Sequence, residues 1–520
     1  MIQIRKRVIS IIMATGFWLK SNLVKAPLIF LVFYLLIGLG TIKEYGLPID
    51  DFTQYVIGKV NYEYLIGHRT NEEIDVDMRY YGPAFETLCY AIDCEFDAEP
   101  QPTQKWGMRH GLVFLFFTIA LGMLYLSAKM IFRNKKVAWV LMLFLALYPR
   151  VFADAHYNSK DTLFLSLVTI ALYPLFMGFF SRKWFHFSIS GLVFGLAATI
   201  RLSAFFIIPS FVCILILFYV LKPIKHSKII GMVGFFICSW LLSYYTFFPA
   251  LWKHPISEFL ILVKRMQEFP WPNSTLIAGR WVGPGNTVWW YLPVWFAITT
   301  PLVYSLLWGI SHVLALSSLK KIKTDLNESY MCLIFIGIWF YGTIFYVMLT
   351  KPNLYDSWRQ FQYLVVPFIM LMGVGLNWIF RFKYGLKFMV GVLVYQILNL
   401  VYLHPFQQVY FNEYYWVFGK SQTYDQDYWH VSTEHCVDWL DKQGFKKPIK
   451  IFTRKSNAAW LNLFFYQNNE NRQFFATDSV EVADYEIVPV RNNEYFDARK
   501  TEVYHVKPLK DTIARIIRLR

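Results

Sequence analysis

Long apolar runs recur along the first four-fifths of this chain, and they limit its fold more than any other feature. Crossing a bilayer core takes roughly 20 apolar residues in a helix. In lipid every backbone polar group must find its partner inside the protein, so a helical bundle is the natural solution. Eleven stretches read as spans, near 26–42, 110–131, 137–153, 162–180, 187–202, 204–221, 229–250, 288–315, 330–350, 361–380 and 386–403. The expected class is an all-α polytopic membrane bundle of about 11 transmembrane helices. Composition agrees: charged residues make up 17% of the chain, against about 25% in soluble domains.

Three polar stretches interrupt or follow the spans. Long loops lie near 43–108 and 251–286, and a polar tail runs from 406 to 520. Residues 1–22 read as a basic, mildly apolar segment at the interface without a small-residue cleavage site. The chain thus divides into 1–22, a transmembrane unit over 23–405, and the tail over 406–520. Within the tail "IKIFT" and "DYEIVPV" read as strands, and "NAAWLNLFFYQ" has helical spacing. A small extracytoplasmic α/β domain is expected there.

The net charge of +16 raises nucleic acid as a partner, but the positions of the charges exclude it. "RNKK" (133–136), "RK" (182–183), "KPIKHSK" (222–228), "KKIK" (320–323) and "RFK" (381–383) occupy alternate loops, on the same side as the basic N-terminus. Positive loops face the cytoplasm. Both long loops and the tail then fall outside. Cys213, Cys238 and Cys332 lie in apolar runs and read as small buried side chains, whereas Cys89 and Cys94 share the first outer loop, where a disulfide stays open.

The link "LYPRVFADAHYNSKDTLFLSL" places Arg150, Asp154, His156, Lys160 and Asp161 between two spans. Ionisable groups at membrane depth or its edge are costly, so they pair or take part in function. Arg150, Lys160, Arg201 and Arg359 are cations on the side that usually lacks them. Their partner is either Asp50, Asp51, Asp154 or Asp161, or a lipid-linked phosphate arriving from the outer leaflet. Arg binds phosphate through a planar fork and Lys as a point charge. A carboxylate beside such a phosphate can take a proton from an acceptor, while the cations stabilise the leaving phosphate. That is inverting glycosyl transfer.

The motifs around these residues resemble those of the bacterial relatives of the protein O-mannosyltransferases, membrane glycosyltransferases of the GT-C class. The features are an acidic pair just past the first span (Asp50, Asp51), an R-x-Y-G-P-x-F-E stretch (Arg79 to Glu86), and "HYNSKD" with Ser159 where Pro is usual. "VWWYLPVWFAITTP", "LYDSWRQ" with Ser357 in place of Gly, "HPFQQVYFN" and "DYWH" follow in the family's order. The resemblance implies a polyprenyl-phosphate-linked sugar as donor, a protein, lipid or glycan acceptor, and transfer at the outer face of a bacterial plasma membrane. It assigns catalysis to Asp50 as base, with Asp51 standing where Glu is more usual. Arg79, Arg150, His156, Asn158, Lys160, Asp161, Arg201, Tyr355 and Arg359 would bind the donor phosphate or other parts of the substrate. No cofactor is certain, and a divalent metal at Asp154 and His156 stays an open alternative. A transporter or flippase of lipid-linked sugars is the rival reading. It would place charge at mid-membrane and show internal repeats, and no repeat is evident.

Overall fold

The computed structural model describes residues 26–96, 102–221, 226–267, 274–317, 327–420, 423–453, 459, 462–463, 474–490, 501–508 and 510–520. The N-terminal segment 1–22, the 320–323 loop and most of "NAAWLNLFFYQ" lie outside them.

Among the described residues seven helices are long and apolar enough to cross a membrane: Ala26–Glu44, Trp106–Phe132, Asp161–Ser181, Ile229–Thr246, Glu328–Thr350, Arg359–Ile379 and Gly385–Leu403. An eighth span is formed if Tyr291–Thr299 and Leu302–Ser317, bent by 115°, count together. Every one of the eleven expected stretches is helical, but four are too short or too broken to span as a single helix. The 137–153 stretch splits into Lys135–Ala146 and Pro149–Asp154. A 12-residue helix is only about 18 Å long, against a core of about 30 Å. Pro149 opens the second piece at its first helical position, where a missing N–H is harmless. Pro301 has the same effect at the bent pair, where Thr300 before it is extended (φ −88°, ψ 132°). Trp184–Ile200 and Leu202–Leu217 are apolar but short, with Arg201 at the break between them.

The two ends of the bundle differ in character. At one, Asn134 donates to Asn377 at 2.9 Å and Arg182 pairs with Glu328 at 3.3 Å; these are the ends bearing the basic loops. At the other, His404 lies 2.5 Å from Glu44 and Tyr45 donates to Gln407 at 2.9 Å.

The first long loop is not irregular: it folds into helices Asp51–Leu65, Val76–Tyr80 and Pro83–Phe96. Gly58 lets the first and last of these touch, since a Cβ there would meet the Glu86 carbonyl at 2.3 Å. Cys89 and Cys94 sit on the same helix, one buried and one exposed, and both are free. No disulfide joins them, because positions five apart point to different sides of a helix. Cys213 and Cys238 are exposed rather than buried, on helix faces turned away from the bundle core. The second long loop contains helix Pro255–Gln267 and a hairpin of β1 (Thr275–Ile277) with β2 (Arg280–Val282).

The tail builds a mixed sheet from β3 (Ile449–Phe452), β4 (Phe474–Thr477), β5 (Tyr485–Pro489), β6 (Thr501–Val506) and β7 (Ala514–Arg518). The order is β4-β3-β5-β7-β6. The β3 strand runs parallel to β4 and β5, and β7 runs antiparallel to β5 and β6. Helix Thr433–Lys442 buries Cys436, Val437 and Leu440 against the sheet. The same hydrophobic cluster takes in Tyr45, Ala153, Tyr157, Phe406 and Trp429, so the α/β unit shares a core with one end of the bundle.

Candidate active site at one end of the bundle

Asp50 ends the turn that leads from the first span into helix Asp51–Leu65. An Asp in this place commonly caps its helix, but this side chain makes no capping bond. It points instead to Arg359, with 3.1 Å between carboxylate and guanidinium. The other arm of Arg359 pairs with Asp356 at 2.9 Å. Asp50 keeps 36% of its side chain exposed while Arg359 keeps 5%, so the acid is open on one side and anchored on the other. Trp429 sets both partners. Its carbonyl accepts the Ile49 N–H at 3.0 Å, and its ring lies 4.5 Å from the Arg359 guanidinium.

Asp51 points elsewhere. It is buried, with a carboxylate oxygen 3.0 Å from His110 Nε2. Burial, resisted by His110, raises its carboxyl above the usual range. Next to it Glu86 receives Arg109 at 2.6 Å and the Ser159 hydroxyl at 2.5 Å, and Arg109 reaches Asp93 at 3.4 Å. This network ties the first-loop helices to the start of the second span. Arg109 and His110 were not picked out from the sequence; the signal was a charged pair abutting an apolar run in "MRHGLVF".

In the link that follows, Asn158 orders the chain. Its carbonyl oxygen accepts the Lys160 and Asp161 N–H groups at 3.1 and 2.8 Å, and its amide donates to Asp161 at 3.1 Å. Asp161 begins a span, where an acid suits the helix dipole, and it also pairs with Arg201 at 2.5 Å. The Lys160 ammonium donates to the Tyr81 carbonyl and sits 4.0 Å from the Tyr81 ring centroid. Gly82 permits this approach. Its φ is +64°, and a Cβ there would lie 2.6 Å from the Ile200 carbonyl and 2.9 Å from Lys160 Nζ. Burial pulls the Lys160 ammonium down to about 7, opposed by Glu86.

Lys160 and Arg201 line a cavity of about 200 Å³. Tyr81, Tyr355 and Gln360 add polar groups, and Tyr244, Phe248, Leu262 and Met266 add an apolar wall. Asp50 is outside the lining. It sits with Arg359, the neighbour of the lining residue Gln360, and its charge acts on both Lys160 and Arg359.

The remaining expected site residues lie apart from the cavity. Arg150 is buried, donates to the Tyr410 carbonyl at 2.9 Å and Ser357 Oγ at 3.2 Å, and packs on Phe411 and Trp295. It joins the link to the segment after the last span. Ser357 and Asp356 both have positive φ, +66° and +56°, a conformation that favours glycine; this is the position where Ser357 departs from the resembled motif. His156 is fully buried, with Nδ1 2.8 Å from the Phe152 carbonyl, Nε2 3.1 Å from Thr41, and its ring stacked on Tyr45. Arg79 donates to the Ile74 carbonyl at 3.0 Å and lies 3.8 Å from Glu258.

Asp154 accepts from Gln362 at 2.7 Å and from the Trp429 indole at 3.2 Å. Burial, reinforced by Asp161, lifts its carboxyl to about 7. Asp154 and His156 therefore serve different partners. Among the described residues no three His, Cys, Asp or Glu side chains gather as metal ligands. This arrangement does not fit a metal shared by Asp154 and His156.

Residues 103–244 match the family model described as dolichyl-phosphate-mannose-protein mannosyltransferase. The matched stretch carries Arg109, Arg150, His156, Asn158, Lys160, Asp161 and Arg201. That stretch, about a quarter of the chain, is similar to this family, in line with the resemblance drawn from the short motifs, and the run of long apolar helices marks a multi-pass membrane protein. No curated protein matches. Two solved structures with similarity are from Archaeoglobus fulgidus. One is an oligosaccharyltransferase tethered to an acceptor peptide, at 11% identity and a TM-score of 0.46, with 91% of this chain and 70% of that chain covered. The other is the oligosaccharyltransferase AglB with an inhibitory peptide and a dolichol-phosphate, at 11% identity, a TM-score of 0.45 and the same coverage.

Proposed function

We propose that this chain transfers a sugar from a polyprenyl-phosphate donor to an acceptor hydroxyl or amine at the outer face of a bacterial plasma membrane, with inversion. The observation that carries this reading is a cavity with two cations, Lys160 and Arg201, beside a half-open carboxylate, Asp50. The donor phosphate occupies the cavity against Lys160 and Arg201. The acceptor oxygen or nitrogen attacks the anomeric carbon as the bond from that carbon to the phosphate oxygen breaks. The acceptor proton passes to the Asp50 carboxylate, and the electron pair of the broken bond leaves with the polyprenyl phosphate, whose added charge the two cations stabilise. Arg359 holds Asp50 in place and leaves its open oxygen toward the acceptor. The volume of about 200 Å³ suits a sugar phosphate head, with the lipid left outside.

The test is transfer in proteoliposomes supplied with labelled polyprenyl-phosphate sugars and envelope extract as acceptor. Asp50→Asn should abolish product while leaving the protein folded. Undiminished product from Asp50→Asn refutes the assignment of the base, and no product from the wild-type protein with any donor refutes the reading.

A further inference from the structure

Helix Pro255–Gln267 is apolar on two opposite faces. Its inner face gives Leu262 and Met266 to the cavity wall and packs Phe259 on the core. Its polar groups are fastened to the first outer loop. Glu258 accepts the Tyr80 hydroxyl, and Arg265 forks onto Asp77 at 2.7 and 2.9 Å. The outer face shows Ile256, Leu260 and Ile261, exposed by 77%, 62% and 48%. Ser257, Lys264 and Gln267 occupy polar positions on that arc.

A helix apolar on both sides belongs in a core or in lipid, not at a water surface. Continuity identifies the solvent. The preceding span, Ile229–Thr246, exposes Leu241, Leu242 and Tyr245, and the connection to Ile256 exposes Phe247 and Trp252 beside the polar Lys253 and His254. Trp and Tyr are enriched at membrane interfaces, and a long Lys such as Lys264 can keep its stem in the apolar layer and its ammonium at the headgroups.

We propose that this helix lies along the membrane interface with its outer face in the lipid, so that the cavity is separated from the bilayer by one helix. Resting on the transfer reading above, this gives the lipid-linked substrate its path. The prenyl chain stays in the bilayer against the outer face while the phosphate passes the helix to reach Lys160 and Arg201.

The test uses the full-length protein in nanodiscs, with exposed Cys94, Cys213 and Cys238 replaced by Ser. Spin labels are placed by Ile256→Cys, Leu260→Cys or Ile261→Cys, with Leu398→Cys in a span as the lipid control and Lys442→Cys in the α/β unit as the water control. Labels at 256, 260 and 261 should be relaxed by oxygen and shielded from a water-soluble nickel chelate, as at 398. Chelate access equal to that at 442 overturns the proposal. In vesicles, Ile256→Asn with Leu260→Asn should raise KM for a long-chain donor several-fold while leaving kcat and the KM of a short-chain, water-soluble donor unchanged. Equal effects on both donors overturn the path. A lipid signature at 256–261 in the labelled variants, together with no sugar transfer by the wild-type protein, keeps the helix in the membrane and sinks the transfer reading alone.

Discussion

Trp429 joins the α/β tail to the proposed base, so its removal should be felt at Asp50 although it lies 379 positions away along the chain. Three contacts set the magnitude: its ring lies 4.5 Å from the Arg359 guanidinium, its indole N–H reaches Asp154 at 3.2 Å, and its carbonyl holds Ile49. A desolvated cation–π contact contributes about 2 kcal/mol, and a hydrogen bond to a charged group about 1.5–3 kcal/mol. Trp429→Phe loses the second alone, and Trp429→Leu loses both; neither disturbs the backbone bond. Each ~1.4 kcal/mol that reaches the transition state changes the rate about tenfold. Initial rates in proteoliposomes should thus fall roughly 10-fold to 100-fold for Trp429→Phe and by up to about 4 × 10³-fold for Trp429→Leu. The fall should sit in kcat, because neither variant touches the cavity lining. Wild-type rates for Trp429→Leu would refute the reasoning, as would two variants that lose rate only in proportion to folded protein, measured by thermal unfolding in the same samples.

Further outcomes follow from the buried networks. Asp51→Asn should lower stability by about 1–3 kcal/mol through the weakened His110 contact and retain most transfer, in contrast to Asp50→Asn; equal loss of activity in the two would contradict their separate roles. Arg109→Met leaves Glu86 and Asp93 buried without their cation, costing about 3–5 kcal/mol. Adding Glu86→Gln should recover part of this in thermal unfolding, and a single variant as stable as wild type would count against the network. Lys160 titrates near 7 in the folded protein and near 10.4 unfolded, among Glu86, Arg201, Asp50, Asp161 and Tyr81. Its ammonium is lost as pH rises through about 7, so donor KM should rise between pH 6 and 8.5. The folded state binds fewer protons than the unfolded one over that interval, so this group's contribution to stability increases with pH above 7. Lys160→Arg, always charged, should flatten the KM profile, and a profile unchanged by that substitution would exclude Lys160 as the titrating group.

The membrane class, the helical identity of the apolar stretches and two of the five tail strands, β3 and β5, were legible in the sequence because each depends on local periodicity and length, whereas β4, β6 and β7 were not read from it. Lys160, Arg201 and Tyr355 stood out because charge or an aromatic hydroxyl beside an apolar run is costly and therefore conspicuous. The sequence could not show that Arg150 and His156, equally conspicuous, are consumed by the Tyr410 carbonyl, Phe152 and Thr41. Nor could it separate Asp50 from Asp51, adjacent residues whose side chains leave the same turn toward Arg359 and His110. Span counting failed where Pro149 and Pro301 break runs that remain apolar throughout. Hydropathy and period are properties of a segment, so the sequence alone determines the class of fold. Which cation meets which acid depends on contacts between residues hundreds of positions apart, 309 for Asp50 and Arg359, and only the packed bundle decides it.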